Sequence, residues 1–343
     1  MINSTAKPKV FLTRELPPKA MERLRKETEL EMNKEDRVLT KQEIMDGIKG
    51  KDGLLCLLTD RIDEEILSVN PDLKIVANYA VGFNNIDVDA ATSRGIPVSN
   101  TPGVLTETSA DMAFALIMST ARRIPEADRF LRTGKWKGWG PLQFLGTDIH
   151  GATLGIIGLG RIGKAVAKRA TGFDMKIKYW NRTRLSADEE IQTGMEYLPF
   201  GDVLKASDFI SLNVAFNKET FHLISDYEFE QMKSTAIIIN TSRGPVIDEK
   251  ALVKALQTGQ IGGAGLDVFE NEPDIEPELL KMDNVIILPH LASATIATRT
   301  RMAMIAIDNL LAVLHGEKAP NLVNGNVYQR RNSFSIVTKK NNK

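Results

Sequence analysis

The sequence predicts an α/β protein made of two doubly wound, parallel-sheet domains. Short apolar runs alternate with amphipathic helical stretches along the chain, which is the pattern of parallel strands covered by helices. A length of 343 residues suits two domains, each large enough to bury its own core. The Asn-Thr-Pro-Gly sequence at 100–103 interrupts local structure and predicts a hinge between the domains.

The first domain opens with a predicted strand at 9–13 and a helix at 18–29, in which Met21 and Leu24 recur at helical spacing. Three apolar strands and two helices with acidic first turns follow, at 54–58, 74–77, 96–98, 63–69 and 87–94. The only cysteine, Cys56, lies inside an apolar strand, so we interpret it as a core residue.

Beyond the hinge, a helix at 111–120 is apolar around most of its circumference, which predicts burial between domains or against a second subunit. Strands and helices then alternate, with strands at 153–157, 176–180, 209–213, 236–240, 264–266 and 285–288 and helices at 161–169, 249–257 and 295–314. The last helix is long enough to return to the first domain.

Composition argues against several classes of partner. The 44 basic and 44 acidic residues give a net charge of zero, so we expect neither a nucleic acid nor a membrane surface as partner. One cysteine cannot form an internal disulfide, and the sequence shows neither a membrane-span-length apolar run nor a signal peptide, so we expect a cytoplasmic chain. The polar, cationic end at 326–343 is interpreted as a disordered tail.

A glycine turn joins a predicted strand to a predicted helix in the arrangement of a Rossmann dinucleotide site. Gly158 permits the tight turn, Gly160 lets backbone approach a pyrophosphate, and Gly163 lets the helix pack closely on its strand. The helix N-terminus then favours an anion. The cofactor is expected to contact Gly158, Leu159, Gly160, Arg161, Ile162 and Gly163. A tight turn in another kind of α/β protein is the alternative.

The second strand of this domain ends at Asn181, where an NAD enzyme usually has an acidic residue that binds the ribose 2′-hydroxyl. Asn181, Arg182, Thr183 and Arg184 instead offer a neutral side chain, a hydroxyl and two guanidinium groups, which suit a 2′-phosphate. We therefore expect NADP(H) to be preferred and NAD(H) to be possible. A solvated basic turn is the alternative.

Polar residues follow three predicted strands of the same domain, at the edge where parallel sheets bind ligands. Arg243 lies on a glycine-bounded turn, Asp267 and Glu272 follow another strand, and His290 follows a third. Arginine binds a carboxylate through two N–H groups. For His290 alone, a structural role is the alternative. The other histidines, His150, His222 and His315, are not spaced as metal ligands usually are, so no metal site is predicted.

These residues lie in motifs that resemble the D-isomer-specific 2-hydroxyacid dehydrogenases, and among them most closely the glyoxylate/hydroxypyruvate reductases. The resemblance extends from Lys9 to Val323. The motifs are Ala-Asn-Tyr-Ala-Val-Gly at 77–82, Asn-Thr-Pro-Gly-Val-Leu-Thr at 100–106, the glycine turn, Thr-Ser-Arg-Gly at 241–244, Gly-Leu-Asp-Val-Phe-Glu at 265–270 and Pro-His at 289–290.

The resemblance implies that Arg243, Glu272 and His290 are catalytic. His290 would donate a proton to the carbonyl oxygen of a small 2-keto acid, and Glu272 would favour the protonated imidazole. Arg243 would bind the substrate carboxylate together with the backbone N–H groups of Val81 and Gly82, which the glycine allows to form a turn.

The resemblance also implies the layout and further contacts. An NAD(P)-binding domain at 101–290 would be inserted into a discontinuous, flavodoxin-like substrate domain formed by 1–100 and 291–325, with the active site in the cleft. Cofactor contacts would extend to Thr106, Val214, Thr241, Ser242, Asp267 and Ala292. Two positions depart from the family: Ala292 replaces a glycine near the nicotinamide, and Val214-Ala215 replaces an apolar residue followed by proline.

A homodimer is predicted, because a second subunit would bury the apolar helix at 111–120. The loop at 136–141 resembles one that reaches the partner's cleft, which would make Trp139 a substrate contact; a surface tryptophan is the alternative. Two other functions compete: a sibling enzyme such as a 2-ketogluconate reductase, and a non-catalytic nucleotide-sensing protein on the same scaffold.

Overall fold

The computed structural model describes residues 6–328. The chain up to Leu105 and again from Thr295 forms one compact unit, and Thr106–Ala294 forms the other. Within the described residues, no helix is long and apolar enough to cross a membrane. Of the segment interpreted as a tail, 329–343 lies outside the described residues. Val327, by contrast, is fully buried, so ordered structure continues past the predicted start of the tail.

The elements alternate along the chain. The first part forms β1 (Lys9–Leu12), α1 (Pro18–Glu27), β2 (Glu29–Met32), α2 (Lys41–Ile48), β3 (Gly53–Leu57), α3 (Glu64–Ser68), β4 (Ile75–Tyr79), α4 (Val88–Ser93) and β5 (Val98–Ser99). The second unit forms α5 (Thr106–Ala121), α6 (Ile124–Arg132), β6 (Thr153–Ile157), α7 (Arg161–Ala170), β7 (Lys176–Trp180), α8 (Ala187–Thr193), β8 (Glu196–Tyr197), α9 (Phe200–Ala206), β9 (Phe209–Leu212), α10 (Asp226–Glu230), β10 (Ile237–Asn240), α11 (Glu249–Gln257), β11 (Gly263–Leu266) and β12 (Val285–Ile287). The last helix is α12 (Ile296–Leu314).

Each unit contains one parallel sheet, which confirms the predicted fold class. The five-stranded sheet has the order β2-β1-β3-β4-β5, and the seven-stranded sheet has the order β12-β11-β10-β9-β6-β7-β8. Side chains alternate along each strand, so a single strand supplies two cores. Leu55 packs with Leu310 of α12 on one face of the first sheet, while Leu54 and Cys56 pack on the other.

The returning end of the chain completes the first unit. Beyond α12, Leu322 forms an antiparallel bridge with Ser99. The Oδ1 of Asn324 accepts a hydrogen bond from the Val98 N–H at 2.8 Å, and its Nδ2 donates to the Ile96 carbonyl at 3.0 Å. A buried amide side chain therefore joins residues far apart in sequence to the edge of the sheet.

The environment of α5 differs from the prediction. This helix packs on α7, β10 and β11 of its own unit, where Phe114, Leu116 and Ile117 are buried. Its apolar circumference is thus explained by contacts within the chain, and only a narrow strip that includes Met118 is exposed. The helix therefore gives no independent argument for a second subunit.

Candidate active site

The glycine turn between β6 and α7 has the geometry of a dinucleotide site. Gly158 has a φ of +93°, a conformation that L-residues rarely adopt. A Cβ at Gly163 would lie 2.2 Å from the Gly158 carbonyl oxygen, so only glycine lets α7 approach the turn this closely. A Cβ at Gly160 would meet no atom within 4 Å, which leaves open space beside the helix N-terminus.

Two buried polar atoms at the same edge of the sheet as this turn have no partner within the described residues. They are the Oγ1 of Thr241, which follows β10, and the Oδ1 of Asn213, which follows β9. Strands β10, β9 and β6 are neighbours in the sheet, and Val214 also approaches the turn, since its Cγ1 lies 2.9 Å from an ideal Cβ on Gly158. Buried polar groups normally have partners, so these residues fit a polar cofactor.

The four residues at 181–184 are not equivalent. The Oδ1 of Asn181 accepts a hydrogen bond from the Leu159 N–H at 3.0 Å, so this side chain helps to hold the glycine turn. The Arg184 guanidinium donates to both carboxylate oxygens of Glu190, at 2.8 and 2.7 Å, and holds the pKa of Glu190 at about 2. Arg182 lies 84% exposed, 3.7 Å from a carboxylate oxygen of Glu219.

That both arginines face a 2′-phosphate stays a prediction; the structure pairs Arg184 with Glu190, whereas Arg182 makes only the longer contact with Glu219. Glu190 stands six residues beyond Arg184, in α8, and the sequence analysis did not consider it. Helix α8 begins with the capping box of Ser186 and Glu189, a local signal that would have predicted the helix and hence the partner.

His290 and Glu272 form a hydrogen-bonded pair. The Nδ1 of His290 lies 3.0 Å from the Oε2 of Glu272, whose Oε1 accepts a hydrogen bond from the Phe269 N–H at 3.1 Å. Burial by itself raises the pKa of Glu272, but its bond with His290, the Phe269 N–H and the Arg243 charge together hold the pKa below its usual range. An ionised carboxylate only accepts hydrogen bonds, so Nδ1 is the donor and Nε2 is the ring nitrogen left for chemistry.

Arg243 lies on a turn that Asn240 holds in place. The Asn240 Oδ1 accepts from the backbone N–H and the hydroxyl of Ser242, and its Nδ2 donates to the Arg243 carbonyl at 2.9 Å. A Cβ at Gly244 would lie 1.8 Å from the Phe269 carbonyl, so glycine is required for the turn to approach the segment that bears Glu272. Burial lowers the pKa of Arg243, and the neighbouring Glu272 opposes that shift.

Asp267 fixes the segment after His290, a role that the sequence analysis did not predict. Its two carboxylate oxygens accept hydrogen bonds from the Leu291 and Ala292 N–H groups at 2.6 and 2.7 Å, and its carbonyl accepts from the His290 N–H at 3.0 Å. His290 is held at a φ of +55°. Asp267 is fully buried. Its contact with the cofactor stays a prediction.

Among the described residues, three side chains lie close enough together to ligate a metal ion, although the spacing of the histidines along the sequence predicted no metal site. Ligand atoms of His222, Asp248 and Glu270 lie within 4.8 Å of one another. The His222 Nε2 is 2.8 Å from Glu270, and Asp248 caps α11 through two backbone N–H groups. Hydrogen bonds thus account for the arrangement, and the absence of a metal site remains a prediction.

The other predicted site residues lie as follows. Val81 and Gly82 belong to the first unit, just beyond β4, and Gly82 lacks the positive φ that the predicted glycine turn would use. Thr106 is the first residue of α5. Trp139 is 84% exposed.

Comparisons with known proteins agree with this geometry. The model of the family "D-isomer specific 2-hydroxyacid dehydrogenase, NAD binding domain" matches residues 114–292. The chain is 52% identical over 328 residues to a glyoxylate reductase of Korarchaeum cryptofilum, covering 95% of this chain and 98% of that protein. A crystal structure from Thermus thermophilus, 43% identical, superposes with a TM-score of 0.86 and covers 92% of this chain and 99% of that chain. The NADPH-dependent glyoxylate/hydroxypyruvate reductase of Sinorhizobium meliloti, solved with NADP and malonate, is 35% identical, with a TM-score of 0.81 and coverage of 93% and 97%.

Proposed function

Because this chain belongs to the D-isomer-specific 2-hydroxyacid dehydrogenases, we propose that it reduces glyoxylate and hydroxypyruvate to the corresponding 2-hydroxy acids with a reduced nicotinamide cofactor. Similarity to glyoxylate reductases over nearly the whole chain supports the substrate class. The hydrogen-bonded pair of His290 and Glu272 is the observation that carries the reaction type, because it supplies an oriented acid beside an arginine turn.

Reduction of a 2-keto acid needs a hydride at the carbonyl carbon and a proton at the carbonyl oxygen. When bound, the reduced nicotinamide supplies the hydride. His290 donates the proton from Nε2, while Glu272 holds the ring through Nδ1 and stabilises its positive charge. Arg243 binds the substrate carboxylate and polarises the carbonyl, and the N–H groups of Val81 and Gly82 bind the carboxylate as well.

NADP(H) is the proposed preferred cofactor, with Gly158–Gly163 holding the pyrophosphate and Arg182 meeting the 2′-phosphate. The support is the exposed guanidinium of Arg182 together with the neutral Asn181, which presents no carboxylate to repel a phosphate. The Sinorhizobium meliloti relative was solved with NADP.

The protein is proposed to act as a homodimer. The support comes from exposed apolar side chains concentrated in α6 and in the segment that follows it: Ile124, Leu131, Trp136, Trp139, Leu142 and Leu145. Such concentrations on a surface mark association sites. Sedimentation at micromolar concentration should show a dimer, and a stable, fully active monomer would contradict the assignment and with it the role of Trp139 toward a partner's substrate.

A substrate panel tests the function directly. Glyoxylate, hydroxypyruvate, pyruvate and 2-ketogluconate would each be supplied with NADH and with NADPH, and cofactor oxidation would be followed at 340 nm. We expect the highest kcat/KM for glyoxylate or hydroxypyruvate with NADPH. A preference for 2-ketogluconate would identify a sibling enzyme, and no turnover with any of these acids would favour a nucleotide-sensing protein.

A further inference from the structure

The loop after β4 is held by its carbonyl groups. Three successive carbonyls accept hydrogen bonds: that of Ala80 from the Thr101 N–H at 2.9 Å, that of Val81 from the Asn100 Nδ2 at 2.7 Å, and that of Gly82 from the Asn78 Nδ2 at 3.0 Å. All of these donors belong to the first unit.

A planar trans peptide fixes the direction of its N–H once its carbonyl is held, because the two bonds point in opposite directions. The donors to the Ala80 and Val81 carbonyls are the adjacent residues Thr101 and Asn100. The N–H groups of Val81 and Gly82 are therefore both directed away from that segment. Neither N–H donates to another group within residues 6–328. Two adjacent N–H groups that point to one side form an anion-binding concavity.

The donors themselves are rigid. The Asn100 carbonyl accepts from the Nδ2 of Asn309 at 3.0 Å, and its N–H donates to the Asn321 carbonyl at 3.2 Å. Asn309 is fully buried in α12, and Asn78 is fully buried in β4. Asn78 also donates to the side chain of Asn85 at 3.1 Å.

We propose that Asn100 is a positioning residue of the carboxylate subsite. By holding the Val81 carbonyl, its side chain directs the Gly82 N–H of the same peptide toward a substrate carboxylate, beside the Val81 N–H that the Thr101 backbone directs through the Ala80 carbonyl. This inference rests on the proposed function, which assigns those N–H groups to a 2-keto acid. The sequence analysis attributed this arrangement to a turn that Gly82 allows; the structure adds the hydrogen bonds that hold it, and Gly82 has no positive φ.

The test compares Asn100→Ala with Asn70→Ala. Asn70 belongs to the first unit as well, and its Nδ2 donates to the carbonyls of Ile48 and Lys51, which precede β3, at 2.7 and 2.8 Å. It matches Asn100 in bond type and lies at the opposite end of the strands, and it is buried where Asn100 is half-buried, so its loss should cost at least as much stability. The probes are glyoxylate as substrate and oxamate, a non-reducible isostere of a 2-keto acid, as inhibitor.

We expect Asn100→Ala to raise the KM for glyoxylate and the Ki for oxamate about tenfold, which corresponds to the loss of one well-formed hydrogen bond, with a smaller change in kcat and unchanged NADPH affinity. Asn70→Ala should lower the melting temperature and leave KM and Ki unchanged. If Asn100→Ala does not fold, Asn100→Asp provides the same test, because its carboxylate cannot donate to the carbonyl.

Unchanged KM and Ki in a folded Asn100 variant would overturn the inference, and so would an equal rise in Asn70→Ala. Failure of the proposed function has a different signature, since the unaltered protein would then turn over none of the 2-keto acids. The increase in melting temperature caused by oxamate would still report on the loop in that case.

Discussion

The loop at 80–82 of the first unit and the loop at 290–292 of the second both follow parallel strands, and hydrogen bonds from the rest of the same unit fix both, but opposite backbone groups are occupied. The Thr101 N–H and the Asn100 side chain donate to the Ala80 and Val81 carbonyls and leave the Val81 and Gly82 N–H groups available. Asp267 accepts from the Leu291 and Ala292 N–H groups and leaves only the His290 side chain to act. The choice of a donor or an acceptor side chain thus decides whether a loop presents backbone or a side chain to a ligand.

The largest effect on kcat should come from removing the His290 side chain, which the loop at 290–292 presents. His290→Ala should lower kcat by roughly 10²–10⁴-fold, the usual contribution of a positioned acid, while NADPH binding is retained. Steady-state kinetics and fluorescence titration of NADPH measure the two quantities. His150→Ala, at an exposed histidine of the same unit, is the control and should be neutral. Near-normal turnover of His290→Ala at neutral pH would show that this loop does not supply the acid.

Asp267→Asn should weaken the hydrogen bonds that hold the loop at 290–292. The amide offers one acceptor oxygen and an NH₂ group that faces an N–H, so one buried donor loses its partner at a cost of about 1–3 kcal/mol. We expect that loss in urea unfolding, together with a kcat at least several-fold lower. Asp208→Asn is the matched control, because Asp208 accepts the Thr153 N–H at the other end of the strands; it should lose stability with kcat unchanged. Equal kcat in the parent and Asp267→Asn would mean that the loop needs no fixation.

The same distinction between occupied and available groups separates Arg182 from Arg184. Arg182→Ala should weaken NADPH binding about tenfold and leave NADH nearly unchanged, the low end for charged contacts because Arg182 is so exposed. Arg184→Ala removes a partner of Glu190 and should have little direct effect on cofactor choice. Dissociation constants for both cofactors decide the matter. If neither variant changes NADPH binding, the arginines form a solvated turn.

The smallest effect is expected from Glu272→Gln, which keeps the shape of the pair and removes its charge. The neutral amide stabilises positive charge on the imidazole less than the carboxylate does, so the fall in kcat/KM with rising pH should begin at lower pH. A profile measured from pH 5 to 10 tests this. Superimposable profiles would mean that Glu272 orients His290 without setting its charge.

The alternation of strands and helices and the glycine turn could be predicted because each is a local pattern, whereas Glu272 and His290, which the structure brings together, were singled out through the family resemblance. Strand β2 was missed because it is a short, half-exposed edge strand that contains two glutamates, and α2 was missed although Thr40 and Glu43 form a capping box at its start. The clamping roles of Asn100 and Asp267 could not be predicted, because each depends on a side-chain bond to backbone that only the tertiary fold brings near.

During synthesis of the chain, Val98 and Ile96 are made long before Asn324, the residue whose side chain bonds to them in the folded protein. The roughly 190 residues of the second unit leave the ribosome after the strands of the first sheet and before α12. At about 5–20 residues per second, that interval lasts ~10–40 s. During that interval, the face of β3 that carries Leu55 lacks the cover that Leu310 of α12 provides in the folded protein. The core of the first unit can therefore be completed only after the whole inserted unit has been synthesised.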